Sequence, residues 1–204
     1  ADDLWFIRPR LRGVKEKTLC VPTAILRSVT LPAGHLLQRA EDQLVLIDQH
    51  KFTTRIYLAV IGEVLYRFQE SVAFIHGSPY APNDANFASQ TDNQSYRETS
   101  SSIRLLPGSQ TPQAHPIEEA SHALATQVRP LLNEVEAECT NGAFAVLALD
   151  TLLTKAGDLK LIRIHTFPNF ITTGSIDADV HVPLFEDILR VMAGLSSRQL
   201  VTIT

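Results

Sequence analysis

Six residues stand in or beside apolar runs with side chains able to do chemistry: Arg8, Lys51, Arg55, Asp150, Arg163 and His165. Lys51 and Arg55 are four apart in a stretch rich in β-branched and aromatic residues, so a strand there turns both to one face. Two cations on one face suit an anion, with Arg8 as a third; the plainer reading is a solvated sheet edge. Asp150 closes the apolar run Phe144 to Leu149, and Arg163 lies in the next one, Leu159 to Ile164. Charges on covered strands persist when paired, so an Arg163–Asp150 ion pair is one expectation and a solvent-facing Arg163 the other. His165 reads as a hydrogen-bonded structural histidine rather than a ligand.

Other chemistries find little support. The seven histidines show no close zinc-ligand spacing, and Ser100-Ser101-Ser102 has no glycine elbow beside it. Cys20 and Cys139 are too few and too far apart for a disulfide framework, which favours a reducing, intracellular compartment. A net charge of -4 gives no case for nucleic acid, although Arg8, Arg10, Arg12, Lys15, Lys17, Arg27 and Arg39 make the first forty residues basic. That bias suits an anionic ligand or an acidic protein partner. No apolar run approaches the roughly 18–20 residues that span a bilayer, so the expectation is a soluble chain without membrane insertion. Ala1 in place of Met fits a processed product or a fragment.

The elements that must position these residues follow from periodicity. With 204 residues, 45% of them hydrophobic, the chain can bury a real core. Leu4 to Ile7 reads as an opening strand with Trp5 in the core. Leu36 to Gln38 and Leu44 to Ile47 are short strand candidates. Phe52 to Ile61, a Gly62-Glu63 turn and Val64 to Phe68 make a hairpin, with Val72 to Ile75 as a separate third strand. Residues 77–115 read as a long loop holding one weak strand at Ile103 to Leu106. Pro116 should open a single amphipathic helix over Ile117, Ala120, Leu124, Val128, Leu131 and Val135, kinked by Pro130 and stopped at Asn141-Gly142. Glu134, Glu136 and Glu138 form a solvated helix face. Phe144 to Leu149, the turn Lys155 to Asp158 and Leu159 to Ile164 form a second hairpin. Val182, Phe185, Ile188, Leu189 and Met192 mark the inner face of a closing helix that ends near Gly194. This order predicts an α+β domain, helices covering an antiparallel sheet.

Several short segments also fall in a familiar order. Trp5-Phe6-Ile7-Arg8-Pro9, Lys51-Phe52-Thr53-Thr54-Arg55-Ile56-Tyr57, Ser78-Pro79-Tyr80 with Asn83-Asp84, and Phe87-Ala88-Ser89-Gln90-Thr91-Asp92 come first. The Asp150 and His165 hairpin follows, and Pro183-Leu184-Phe185 with Asp187-Ile188-Leu189 closes the series. Together they resemble the central and C-terminal lobes of the tubulin tyrosine ligase-like ATP-grasp ligases over nearly the whole chain, with no single motif intact. The resemblance implies an ATP-grasp-like sheet, with residues 1–50 as a remnant of the central lobe and 51–204 as the C-terminal lobe. The resemblance matches no segment of this sequence to the family's N-terminal lobe.

An ATP-grasp ligase phosphorylates a carboxylate and lets an amine displace the phosphate, so it needs cations on the triphosphate and oxygen ligands on magnesium. The resemblance keeps Asp150 as one such ligand and makes Arg8, Lys51, Arg55 and Asp150 the residues that would hold a nucleotide or anion. It also sets Arg163 and His165 where the family carries glutamate and asparagine, and Arg8 in place of a lysine. Thr53 stands for an acidic residue, Phe74 for an arginine and Asp92 for an asparagine. The phosphate-covering loop, Arg10 to Lys15, has a single glycine, Gly13. These losses predict a pseudoenzyme with no catalytic residue, metal or cofactor, a structural or binding subunit. Its expected partners are proteins, tubulin or a multi-subunit complex among them, in a cytoplasmic, cytoskeletal or ciliary setting, with a mitochondrial mature form also compatible. On this reading the Arg163 guanidinium takes the place of magnesium, with Asp150 as its partner. The alternative is an active carboxylate–amine ligase using ATP and magnesium, its metal ligands coming from Asp158, Asp177 or Asp179.

Overall fold

In the computed structural model the described residues are 3–9, 18–86, 90–91, 102–140, 142–170 and 174–204. The basic loop expected at Arg10 to Lys17, with Gly13, lies outside them, as do Phe87 to Ser89, Asp92, Ser100, Ser101 and Asn141. The chain is α+β and divides into two compact units, Ala1–Lys51 with His76–Ile103, and Phe52–Ile75 with Arg104–Thr204.

The first unit holds a three-stranded antiparallel sheet of order β2-β1-β3, formed by β1 (Leu4–Pro9), β2 (Leu19–Pro22) and β3 (His35–Arg39). Leu4 and Ile7 are buried beneath it. Trp5, expected in the core, is half-buried, because its indole N–H donates to Thr23 Oγ1 (3.0 Å) at the start of helix α1 (Thr23–Leu26). The strand expected at Leu44 to Ile47 is reduced to isolated bridges at Leu44 and Ile47, the latter to His50. Asp48 and Gln49 close that turn in left-handed backbone (φ 50° and 66°) and lead at once into β4, whose two sides are taken by other strands.

The second unit is built on a six-stranded sheet of order β6-β5-β4-β7-β8, with β9 also paired to β5. Its strands are β4 (His50–Ile61) and β5 (Val64–Pro79), whose ends His50–Lys51 and His76–Pro79 belong to the first unit, with β6 (Arg104–Pro107), β7 (Phe144–Leu153), β8 (Leu159–His165) and β9 (Leu200–Thr202). The Gly62-Glu63 turn joins β4 to β5 with both residues at positive φ (55° and 69°), which favours glycine at the first of them. Val72 to Ile75 is not a separate strand. It continues β5, because the polar Gln69 to Ser71 stretch between keeps its backbone occupied: Gln69 N–H donates to Gln199 O (2.9 Å). Every residue from Lys51 to Ile61 is buried, as a central strand covered on both faces requires.

Helical segments lie between β6 and β9. Helix α2 (Ala114–Val128) starts two residues before Pro116, which still falls in the first turn, where a missing N–H is harmless. Pro130 does more than kink the expected single helix. It ends α2, leaving a 3₁₀ turn (Arg129–Leu132) and a separate α3 (Asn133–Glu138). The tighter turn swaps the inward position, so Leu132 is buried and Leu131 exposed. Glu136, on the face expected to be solvated, pairs with Arg129 (3.5 Å). The last helix, α4 (Val182–Met192), follows a π-helical turn, Asp177–His181. It buries Leu184, Asp187 and Ile188, so the face expected to be internal was partly misassigned: Val182, Leu189 and Met192 are exposed. Among the described residues no helix is long and apolar enough to cross a membrane.

Candidate functional site

Strand alternation puts Arg55 on the β4 face that also carries Tyr57, and the sheet register sets Arg55 opposite Asp150 of β7. The guanidinium grips the carboxylate with both branches, Nε to Oδ1 at 2.7 Å and Nη2 to Oδ2 at 3.0 Å. His165 of β8 adds its Nε2 to Oδ2 at 2.6 Å. An ionised carboxylate only accepts, so Nε2 carries the proton. The Arg55 guanidinium also lies over the Phe74 ring, 5.0 Å from its centre. The three polar side chains are largely covered, at 7%, 18% and 12% exposure for Arg55, Asp150 and His165. Burial alone would raise the Asp150 pKa; the bonds from His165 and Arg55 outweigh it and hold the carboxyl below the ordinary aspartate range.

The expected Arg163–Asp150 pair is absent, and Asp150 does not end its strand. β7 runs on to Leu153, and Arg163 does stand across from Asp150 in the β8 register, yet its side chain is exposed. Two features explain this. Arg55, from the strand on the other side, already occupies both carboxylate oxygens. In addition the register slips just after Asp150, so that Thr151 faces Leu161 and Ile162 is the extra residue of a bulge. His165 is hydrogen-bonded, as expected, with Asp150 as its partner.

Lys51 belongs to the first unit and is no solvated edge residue. It is 6% exposed, donates from Nζ to the Gln90 carbonyl (3.0 Å), and has the Phe6 and Tyr80 ring centres 5.9 Å and 5.5 Å away. Burial lowers its pKa to about 8. Nearby His76 is buried with no hydrogen-bond partner for either ring nitrogen among the described residues, and burial together with the Lys51 and His50 charges lowers its pKa to about 3, so it stays neutral. Arg8 is half-buried on β1. Of the four residues named for an anion, Arg55 and Asp150 are therefore brought together, while Lys51 and Arg8 lie in the first unit.

The depressed Lys51 pKa has a stability consequence with a definite sign. Between about pH 8 and the unfolded lysine value near 10.4 the unfolded chain binds more protons, so stability rises with pH across that window, and below it the ionised, buried amine is unfavourable. Lys51→Met should stabilise the protein by about 1–3 kcal/mol at pH 7 and flatten that rise. Chemical denaturation of both forms at pH 7, 8, 9 and 10 checks it; a less stable variant at pH 7 would show that the amine makes bonds worth more than its burial.

Sequence reasoning missed a second polar chain on the same sheet face. Tyr57 Oη meets His181 Nε2 at 3.0 Å, and His181 Nδ1 meets Asp177 Oδ1 at 2.8 Å. Phe170 stacks on Tyr57 (5.9 Å between ring centres) and meets Phe185 edge-on (4.9 Å). The one available signal was the four-residue spacing of Asp177 and His181. Asp177, named as an alternative metal ligand, is engaged with His181, while Asp158 and Asp179 are exposed. Among the described residues no three His, Cys, Asp or Glu side chains gather as a metal ion would require.

No protein-family model matches the chain, and no curated protein matches it.

Proposed function

We propose that the chain is a catalytically inactive module of the tubulin tyrosine ligase-like ATP-grasp kind, kept as a binding or structural component of a larger protein assembly. The observation that carries this reading is the engagement of Asp150. Magnesium takes oxygen ligands at about 2.0–2.1 Å in a near-octahedral shell. Asp150 instead gives both oxygens to Arg55 and one also to His165, and a guanidinium at that distance repels a cation. The residues do not fit the metal. By the same resemblance the partner class is tubulin or another protein of a multi-subunit complex, in the cytoplasm, cytoskeleton or cilium.

Thermal melting with ATP, with and without magnesium, tests the reading alongside ATP hydrolysis. The expected result is no magnesium-dependent shift and no turnover. A magnesium-dependent shift that Asp150→Asn abolishes would overturn it in favour of an active ligase. A shift with nucleotide but indifferent to magnesium would instead support an anion-holding module, for which the buried Lys51 amine is the favouring feature.

A further inference from the structure

Helix α4 has two apolar faces, and only one is covered among the described residues. Opposite the buried Leu184, Asp187 and Ile188 lie Val182, Glu186, Leu189 and Ala193, spaced four, three and four apart and so aligned along one side. Met192 flanks this row and Leu195 lies just beyond it. Val182, Leu189, Met192 and Leu195 are 52%, 61%, 39% and 55% exposed. Aligned apolar side chains in water are the mark of a docking surface, unlike scattered ones.

The charges around the row are ordered. Asp179 and Glu186 are exposed toward its N-terminal half, whereas Arg190 lies toward its C-terminal half. Arg190 has its Nε bonded to Ser196 O (3.1 Å) and lies 3.9 Å from Asp187 Oδ1, which steadies the guanidinium while its terminal nitrogens make no hydrogen bond among the described residues.

We infer that this face pairs with the same face of a second copy, the two helices antiparallel about a two-fold axis. An isologous contact sets residue i of one protomer against j of its partner, and j against i. An antiparallel pairing centred near Ile188 puts Glu186 of each protomer beside Arg190 of the other, with the Leu189 side chains near the axis and Val182 beside the Ala193–Leu195 end. A parallel pairing would set Glu186 against Glu186, and a partner of one charge sign would satisfy only half of the row. The charge order therefore selects a second copy, antiparallel. Three helical turns bury less than a standard-size interface, so the dimer is weak, with Kd about 10–100 μM. The inference is independent of the pseudoenzyme reading.

Sedimentation velocity on the whole chain, from about 1 to about 300 μM, tests it. The mass should rise from 22.6 kDa toward twice that value. Leu189→Glu and, separately, Glu186→Lys should hold the chain monomeric across the range with unchanged circular dichroism and melting temperature, since both side chains are exposed. A wild-type chain that stays monomeric throughout overturns the inference. So does a dimer that both substitutions leave intact, which would place the contact elsewhere.

Discussion

Asp187→Ala should destabilise the protein by about 3–5 kcal/mol and release the chain from Ser197 to β9. Asp187 is 2% exposed on the inner face of α4, and its carboxylate accepts from Ser197 Oγ (2.9 Å) and from the N–H groups of Arg198 (2.9 Å), Gln199 (2.6 Å) and Leu200 (3.0 Å). Successive backbone donors turned onto one anion form a nest, and each charge-assisted bond is stronger than a neutral one. Burial would raise the Asp187 pKa, but these bonds outweigh it and depress it. A depressed carboxyl contributes stability that is complete above the ordinary value near 3.9 and lost as pH falls through the folded one. The loop leads directly into β9, which pairs with Tyr66 to Phe68 of β5, so its loss also strips an edge from the sheet. Hydrogen exchange at pH 7 should find the Arg198, Gln199 and Leu200 amides protected in the wild type and exchanging freely in the variant. Asp187→Asn, which keeps one acceptor oxygen, should lose roughly half as much. If the alanine variant kept both its stability and its amide protection, the nest would not be what holds this segment.

What could be read from sequence divides along the range of the interaction. The Gly62-Glu63 and Lys155–Asp158 hairpins, and the stop of α4 at Gly194 (φ 73°), are local: turn residues at fixed offsets specify them, and the strands on either side alternate or run apolar as pairing demands. Asp187 was illegible for the opposite reason. On α4 it resembles any helical acid, and its donors arrive ten to thirteen residues later from a loop without periodicity. Lys51 and Arg55 were correctly placed on one strand face, but alternation says which residues share a face and not whether that face is covered. The Arg163 error has the same root. Asp150 has neighbours on two strands, and only β8, joined to β7 by a short turn, is visible in sequence. The other, β4, lies 95 residues earlier at Arg55 and becomes a neighbour only through the long-range pairing of the sheet. α4 was misjudged because it carries two apolar stripes, and periodicity alone cannot rank them.

Asp150→Ala should destabilise the protein by about 3–5 kcal/mol, because it strands the Arg55 guanidinium, 7% exposed, without its bidentate partner. His165→Ala should cost less, about 1–3 kcal/mol, since Arg55 still neutralises the carboxylate; Arg163→Ala should fall within about 0.5 kcal/mol, as the side chain is exposed. The ranking separates the two readings of the cluster. In a working metal site, carboxylates held close for an ion repel one another or stay unsatisfied without it, so removing one tends to leave the metal-free protein as stable or more so. In a cluster that has become structural, Asp150 is the single anion between two nitrogen donors and its removal must be costly. Acid titration adds a second test. The Asp150 contribution is complete above the ordinary aspartate value near 3.9 and lost as pH falls through its depressed folded value, so the gap between wild type and Asp150→Ala should narrow only in that acid window. Denaturant midpoints measured from pH 7 to pH 3 supply both the ranking and the window. A neutral or stabilising Asp150→Ala would mean that the Arg55 grip is not what the fold relies on, and the carboxylate would again be a candidate ligand.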